Sequence, residues 1–302
     1  MLAHSLSLHS FRLGTRWRVL LLGALLAMPA TAAQSAWAAP NPGATLLAAG
    51  DVATCGNEGD SQTAAVVAQN PDGTVAALGD LAYRDGTAAQ FAECYQPTWG
   101  AHKSRTRPVP GNHEYHTANG GPYYDYFGAA AGPRGKGYYS YDIGAWHVVA
   151  LNSEAKTGPR STQLRWLRKD LAANNKSCTL AYWHKPRFSG GKYKDSTKYQ
   201  PFWQALYDAD AEVALAGHDH NYQRFRPMTP TGAADARRGI REFVVGTGGR
   251  GHYALRTDSR REAGNDTDLG VLKLTLRDGG YDWKFLPVAG GSYTDSGSGT
   301  CH

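Results

Sequence analysis

The chain of 302 residues is 41% apolar and 19% charged, contains 36 glycines and carries a formal net charge of +6 at pH 7. This composition supports a packed core of one or two domains and excludes a disordered, collagen-like or coiled-coil chain. Beyond the first 40 residues no apolar run reaches the roughly 18 residues that a membrane span requires, which excludes a membrane channel.

The first 38 residues have the pattern of a secretory signal peptide. Three arginines precede an apolar run at residues 19–28, and small-residue cleavage sites follow near Ala32 and Ala38. The alternative is a surface helix, but so short an apolar run with these flanks is typical of neither a membrane span nor a core helix. We therefore expect cleavage, secretion to the periplasm or the extracellular space, no stable membrane insertion, and a single domain over residues 39–302.

Short apolar runs bounded by glycine, proline or polar residues predict buried strands. In chain order these strands lie at residues 45–49, 74–78, 146–151, 179–183, 213–216, 243–245 and 271–276. Helical segments are expected at residues 61–69, opening with a capping Ser61, and at 87–94 and 161–173. The alternation of strand and helix predicts a βαβ sheet, and hairpins are predicted later in the chain around Gly144 and residues 278–280.

Four cysteines remain after cleavage, and an even number in an exported chain predicts two disulfides among three possible pairings. We favour Cys55 with Cys94, which flank two consecutive strand ends. We pair Cys178 with Cys301, because this bond would fasten an otherwise loose glycine- and serine-rich tail at residues 290–299. No Cys-x-x-Cys spacing occurs, so a zinc knuckle is not expected.

The charge of the mature chain limits its partners. Without residues 1–38 the chain has 29 basic and 26 acidic residues, a net charge of +3. The basic residues form no stripe of the kind that binds a phosphate backbone, so no nucleic-acid partner is expected. This weakly positive balance is compatible with a small anionic substrate, and the sequence leaves the oligomeric state open.

Five segments end in polar side chains that suit metal binding. They are Gly-Asp at residues 50–51, Gly-Asp at 79–80 with Tyr83 close behind, Gly-Asn-His-Glu at 111–114, Trp-His at 183–184 and Gly-His-Asp-His at 217–220. In open α/β folds functional groups collect beyond the carboxyl ends of the strands, so we expect these segments to converge.

Each motif alone has an ordinary explanation. A Gly-Asp pair is more often a turn, His184 alone is more often a structural histidine, and Asn112 suits a left-handed turn. The pair His218 and His220 is stronger, because residues two apart on an extended chain face the same side. Together the two carboxylates, phenol, amide and three imidazoles would be stranded without a cation. Two metal ions remove that difficulty and suit phosphoester hydrolysis.

These motifs, in this order over residues 50–220, resemble those of the calcineurin-like metallophosphoesterases, and within them the purple acid phosphatase-like branch. The resemblance implies an α/β fold: a four-layer α/β/β/α sandwich of two mixed sheets flanked by helices, with a dinuclear centre in one catalytic domain. By this resemblance the first metal would be held by Asp51, Asp80, Tyr83 and His220, and the second by Asp80, Asn112, His184 and His218, with Asp80 as the bridge.

The first motif departs from a common family pattern, Asp-x-His, because Ala53 occupies its third position. Tyr83 can supply the missing ligand, as in the purple branch; alternatively it packs over the loop. A phenolate favours a hard trivalent ion, so the expected cofactors are Fe(III) in the first site and Zn, Mn or Fe(II) in the second.

The resemblance implies that a metal-activated hydroxide attacks phosphorus. His113 matches a family position that faces the leaving group, as general acid or electrostatic stabiliser. Glu114 either supports the ligands or is a solvated loop acid. We predict a secreted dinuclear-metal phosphatase for phosphomonoesters. Two alternatives stay open: a phosphodiesterase acting on nucleotides or phospholipids, and a non-catalytic binding protein of the same fold.

The remaining polar and aromatic features are interpreted as structural. Residues 246–249, Gly-Thr-Gly-Gly, predict a tight turn, and the aromatic cluster at residues 123–127 predicts packing of a loop near the site. The side chains interpreted as packing or surface residues in preference to substrate contacts are Asn152, His147, Arg187 and His252.

Overall fold

The computed structural model describes residues 43–302. The predicted signal peptide lies outside the described residues, so its cleavage and the domain boundary at residue 39 stay predictions. Within residues 43–302, two mixed β-sheets pack face to face and helices cover their outer faces. This arrangement confirms the four-layer α/β/β/α sandwich.

The described residues contain fifteen strands. In chain order they are β1 (Ala44–Ala49), β2 (Ala53–Thr54), β3 (Thr74–Ala77), β4 (Ala82–Tyr83), β5 (Thr106–Pro108), β6 (Tyr139–Ile143), β7 (Trp146–Ala150), β8 (Cys178–Tyr182), β9 (Val213–Ala216), β10 (Tyr222–Phe225), β11 (Arg241–Val245), β12 (Arg261–Asn265), β13 (Gly270–Arg277), β14 (Gly280–Pro287) and β15 (Ser296–Thr300). The first sheet has the order β15-β14-β13-β1-β3-β5 and the second β12-β10-β11-β9-β8-β7-β6, while β2 and β4 form a separate pair.

The central strands of the second sheet are buried on both faces, and their side chains alternate between two clusters. On β7, Trp146 and Val148 pack between the sheets, whereas Val149 packs outward. On β9, Val213 packs inward and Ala214 outward in the same way. This period of two sends every second residue to the core between the sheets and the others under the outer helices.

Five α-helices lie between the strands: α1 (Gly59–Ala68), α2 (Ala88–Gln90), α3 (Gly121–Phe127), α4 (Thr162–Ala173) and α5 (Gln200–Asp208). The Ser161 hydroxyl caps α4 by accepting a hydrogen bond from the Leu164 N–H at 3.1 Å. The expected cap of α1 is wrong. That helix begins at Gly59, whose N–H bonds the Asn57 side chain, and the Ser61 hydroxyl donates instead to the Glu58 carbonyl.

Both predicted disulfides are present, Cys55–Cys94 and Cys178–Cys301, with Cα atoms 4.8 and 5.6 Å apart. The tail before Cys301 is more ordered than expected, because it forms β15 and pairs with β14 along the sheet edge. Among residues 43–302, no helix combines the length and the apolar character that crossing a membrane would require.

Candidate metal centre

The predicted ligands follow the carboxyl ends of parallel strands in both sheets. In the first sheet β1, β3 and β5 run parallel, and Asp51, Asp80 and Asn112 lie just beyond them. In the second sheet β8 and β9 run parallel and precede His184 and His218. The strand ends of the two sheets therefore supply side chains to one place.

The loops that carry these side chains approach one another closely. A Cβ atom at Gly111 would lie 2.1 Å from Oδ1 of Asp80, so only glycine fits there. The backbone is left-handed at Asp51 (φ 61°), Asp80 (φ 51°) and His218 (φ 70°). Residues other than glycine rarely adopt this conformation, and it concentrates at functional sites.

One half of the centre gathers around the Tyr83 hydroxyl. That hydroxyl donates a hydrogen bond to Oδ1 of Asp51 at 2.9 Å and lies 3.3 Å from both Oδ2 of Asp80 and Nε2 of His220. The His220 nitrogen is also 3.3 Å from Oδ1 of Asp51. The phenol oxygen therefore points among the other three side chains, and this position favours a ligand role over that of a tyrosine that only packs over the loop.

The other half shares Asp80. Ligand atoms of Asp80, His184 and His218 all lie within 4.8 Å of one another, close enough to hold one metal ion. The His184 Nδ1 atom bonds the Leu78 carbonyl at 2.8 Å, which directs its Nε2 atom to within 3.1 Å of Oδ2 of Asp80. A backbone partner that fixes a histidine ring in this way is usual for metal ligands.

Asn112 supplies a test of whether a cation fits. Its Oδ1 atom is buried and has no hydrogen-bond partner. It lies between Gly111 and His113, whose backbone N–H bonds Oδ1 of Asp80 at 2.8 Å. A buried amide oxygen without a donor is costly, and a metal ion is a partner of suitable chemistry.

The electrostatics of the cluster also favour a cation. Burial alone lowers the pKa of His184, but the Asp80 carboxylate outweighs it and raises the pKa to about 9. Burial followed by the charges of Asp51 and Asp80 holds the pKa of Tyr83 well above its usual value. His184 and Tyr83, which lie beside the carboxylates, thus keep their protons, and bound metal ions would take the place of this positive charge.

His113 stands at the edge of the centre. Its Nδ1 atom bonds the Arg84 carbonyl, its Nε2 atom lies 3.7 Å from Oδ2 of Asp80, and its side chain is 24% exposed. The ring packs at 4.4 Å against the ring of Tyr83. Nδ1 donates to that carbonyl, so the partly exposed Nε2 atom remains available for proton transfer near Asp80.

Glu114 is buried and holds the two loops of the centre together. Its carboxylate accepts hydrogen bonds from the backbone N–H groups of Asp80 (2.9 Å), Leu81 (2.8 Å), Ala82 (3.3 Å) and Gly111 (2.7 Å). Burial and then the Asp80 charge raise its pKa to about 7. The alternative of a solvated loop acid is therefore wrong.

Two tyrosines that the sequence did not single out cover the histidines. The Tyr193 ring stacks on His218 and the Tyr253 ring on His220, each with centroids 4.0 Å apart. They come from loops distant in sequence from the Gly-His-Asp-His motif, and no periodicity marks them. Asp219 fastens the first of these loops by accepting bonds from the Ser189 hydroxyl (2.5 Å) and the Tyr193 N–H (3.2 Å).

The Gly-Thr-Gly-Gly turn also belongs to the surroundings of the centre. The next residue, Arg250, donates its backbone N–H to the Asp51 carbonyl at 2.9 Å, and its guanidinium lies 5.2 Å from the Tyr83 ring centre. The run of glycines before Arg250 was the one sequence signal that could have placed it here. A Cβ atom at Gly246 would come within 2.9 Å of an Asp51 carboxylate oxygen.

The side chains interpreted as structural pack away from the centre or lie on the surface. Asn152 bonds Tyr115 and the Lys136 carbonyl, and His147 lies between Asp142 of β6 and Asp170 of α4. His252 is exposed. The aromatic cluster of α3 packs against the aromatic rings of residues 91–95, and its predicted place beside the site stays a prediction.

Comparisons with known proteins find relatives of this chain. A family model described as Calcineurin-like phosphoesterase matches residues 40–222. Purple acid phosphatase 21 of Arabidopsis thaliana is 33% identical over 126 residues, which cover 39% of this chain and 28% of that protein. Purple acid phosphatase 23 of the same plant is 29% identical over 162 residues, 45% of this chain and 34% of that protein. The resemblance seen in the motifs is thereby confirmed.

Among solved structures, a purple acid phosphatase from yellow lupin (Lupinus luteus) seeds superposes with a TM-score of 0.76 at 18% identity. The superposition covers 84% of this chain and 53% of that one, and at this identity it shows the fold alone. The chain thus spans about half of the lupin structure and about a third of the curated relatives it matches.

Proposed function

Since this chain belongs to the calcineurin-like phosphoesterase family, we propose that it is a secreted, metal-dependent phosphatase that hydrolyses phosphomonoesters. The observation that supports the proposal is the convergence of six side chains, together with the buried oxygen of Asn112 that lacks a hydrogen-bond partner. The six are Asp51, Asp80, Tyr83, His184, His218 and His220. Such a donor set suits two cations that share a carboxylate.

We propose that Asp80 bridges the two ions. The ligands of the first ion are Asp51, Asp80, Tyr83 and His220, and those of the second are Asp80, Asn112, His184 and His218. When bound, two such cations lower the pKa of water and neutralise charge on the phosphoryl oxygens.

The protein's own residues protonate the leaving oxygen and position the ligand loops. His113 presents Nε2 at the edge of the cluster and protonates the leaving oxygen, while the Arg84 carbonyl holds its other nitrogen. Glu114 fixes the Asp80 loop against the Asn112 loop through four backbone bonds. Arg250, beside Tyr83, adds positive charge where an anionic substrate enters.

The proposed ions are Fe(III) in the first site and Zn, Mn or Fe(II) in the second. The support is chemical, because a phenol placed between two carboxylates ionises most readily on a hard trivalent ion. The metal-loaded protein should show a visible charge-transfer band that Tyr83→Phe removes. A colourless, fully active protein would contradict the iron assignment and leave the dinuclear one intact.

The proposed secretion rests on the N-terminal pattern and on two disulfides that need an oxidising compartment. Expression of the full chain in a secreting host should release a protein whose mass corresponds to cleavage near Ala32 or Ala38. Retention of the intact N-terminus inside the cell would refute it.

The central experiment measures metal content and hydrolysis on the same sample. The purified protein should hold about two ions per chain and cleave 4-nitrophenyl phosphate faster than bis(4-nitrophenyl) phosphate. Asp80→Asn should lose both ions and activity, whereas Asp125→Asn, at a 69% exposed carboxylate, should change neither. Faster diester cleavage would favour the phosphodiesterase alternative, and two bound ions without turnover would favour a binding protein.

A further inference from the structure

A cavity adjoins the metal centre on the side of His218. It has a volume of about 190 Å³, and its wall includes His218 itself. The other polar and aromatic residues that line it are Lys185, Tyr193, Lys194, Ser196 and Tyr199. One water needs only about 10–15 Å³ of such space, so the cavity can hold a group as large as a phosphate or a carboxylate.

The lining of this cavity is positive and contains no carboxylate. Three acids beside the lining already have partners. Glu154 pairs with the ammonium of Lys185 at 2.9 Å, Asp195 pairs with Arg260 at 2.7 Å, and Asp219 accepts hydrogen bonds from the Ser189 hydroxyl and the Tyr193 N–H. Lys194 is exposed, and within residues 43–302 no carboxylate lies within ion-pair distance of its ammonium. Lys194 thus contributes to the cavity lining a positive charge that no carboxylate of residues 43–302 pairs with.

The loop that carries Lys194 is held in an unfavourable conformation. Lys194 has φ 61°, a left-handed backbone that a lysine rarely adopts. Bonds on both sides maintain it, because the Ser189 N–H donates to Asp195 at 3.0 Å and the Ser196 N–H donates to the Arg187 carbonyl at 3.0 Å. Backbone strain fixed by its surroundings in this way is typical of a functional position.

Tyr193 connects this loop to the metal centre. Its ring stacks on the proposed ligand His218 at 4.0 Å, and Asp219 of the same motif holds its N–H. The cavity is thus fixed relative to the place where a phosphoryl group would bind. A substrate could put its scissile phosphate at the centre and another part in the cavity without moving the loop.

We propose that this cavity is a subsite for a second anionic group of the substrate, with Lys194 as its principal binding residue and the Ser196 hydroxyl as a further donor. The inference rests on the proposed phosphatase activity and narrows it to phosphomonoesters that carry a second phosphate or a carboxylate. Lys185 contributes less, because Glu154 already neutralises it. A charge-assisted bond from an ammonium to such a group is among the strong hydrogen bonds.

The test compares substrates that differ only in their second charge. They are 1,3-propanediol monophosphate, 1,3-propanediol bisphosphate and 4-phosphooxybutanoate, with 4-nitrophenyl phosphate as the measure of basal activity. We expect a lower KM for the two doubly anionic esters than for the monophosphate. Lys194→Ala should raise their KM about tenfold with little change in kcat and leave the KM of the monophosphate unchanged.

Lys169→Ala is the matched control, because it removes the same charge from an exposed position on α4 outside the cavity. Equal KM values for charged and uncharged tails, or the same response to both variants, would overturn the subsite. A preference for the bisphosphate alone would support it and identify a phosphate site; a preference for both esters would support a general anion site. Absence of 4-nitrophenyl phosphate hydrolysis by the unaltered protein would instead refute the proposed function.

Discussion

Two kinds of buried carboxylate occur among the described residues, and they differ in their partners. Glu242, on β11, is fully buried and accepts bonds from the backbone N–H groups of Arg187 and Phe188, both at 3.0 Å. Asp51, also fully buried, accepts one bond from a backbone N–H, that of His218, and otherwise faces the side chains of Tyr83 and His220.

The difference separates a carboxylate that fastens loops from one that can bind a cation. Burial raises the pKa of Glu242 to about 8 against the opposing effect of its N–H donors. At Asp80 burial acts in the same direction, but the charges of His184 and His113 outweigh it, and the pKa falls below its usual value. Glu242 thus tends to keep a proton. Asp80 instead stays ionised, and a metal ion can displace the protons of the titratable side chains around it.

The largest expected effect comes from altering a carboxylate of the centre. Asp51→Asn should remove the first ion, keep the second, and lower kcat by about 10³-fold or more, because one of the two charges that stabilise the transition state is gone. The free energy of unfolding of the metal-free protein should change little, since an amide oxygen can still accept the His218 N–H. Metal analysis, phosphate release and urea unfolding measure these three quantities.

A loss of folding without a loss of metal in Asp51→Asn would place Asp51 with Glu242 as a loop-fastening residue. The distinction between Glu242 and the carboxylates of the metal centre would then be lost, and the proposed first metal site would be wrong.

The next effect concerns His113, whose backbone N–H bonds Asp80 and whose ring lies at the edge of the centre without being a proposed ligand. His113→Ala should retain both ions and lower kcat by about 10²-fold, the range for loss of a general acid. The loss should be larger for an alkyl phosphate, which needs a proton on its leaving oxygen, than for 4-nitrophenyl phosphate. Equal losses for both esters would assign His113 to electrostatic stabilisation instead of proton transfer.

Much of the centre could be predicted because short motifs in the sequence mark its side chains. Three of the proposed ligands, Asp51, Asp80 and His184, each follow an apolar run. Parallel strands bring their carboxyl ends to one edge, so these three could be placed together without coordinates. Glu114 was harder to assign. Its role depends on backbone donors from another loop, and a single acid after a histidine carries no sign of burial.

Strands with a pattern of apolar side chains could be predicted. Strands held only by backbone hydrogen bonds could not. The strands β7, β9 and β13 bury apolar side chains and were expected. The edge strand β15, Ser-Gly-Ser-Gly-Thr, has no apolar alternation and is held by its pairing with β14. Tyr193 and Tyr253 were missed for a related reason, because only the folded loops bring them onto the histidines.

A smaller effect is expected from the loop-fastening carboxylate. In Glu242→Gln, the amide NH₂ group faces one of the two backbone N–H donors, so one hydrogen bond is lost and a buried donor is left without a partner. The free energy of unfolding should fall by about 1–3 kcal/mol, while metal content and kcat per folded molecule stay unchanged. Urea unfolding and metal analysis of the same preparation distinguish this from an effect on the centre. Loss of an ion in this variant would contradict the separation of the two regions.

The last effect, and the smallest for each pH unit, is the pH dependence that Glu242 contributes to stability. Its pKa in the folded protein is about 8, above the ordinary value of 4.5, so the folded state binds the proton more tightly than the unfolded chain does. This contribution is complete below pH 4.5 and is lost as the pH rises towards 8. Between pH 5 and 8 the stability of the metal-free protein should therefore fall more steeply than that of Glu242→Gln, by about 1 kcal/mol per pH unit.

Part of the slope should remain in the variant, because burial also raises the pKa of Glu212 to about 7. Parallel pH profiles for the two proteins would mean that the backbone donors keep Glu242 ionised, and that the contrast with Asp80 lies in geometry alone.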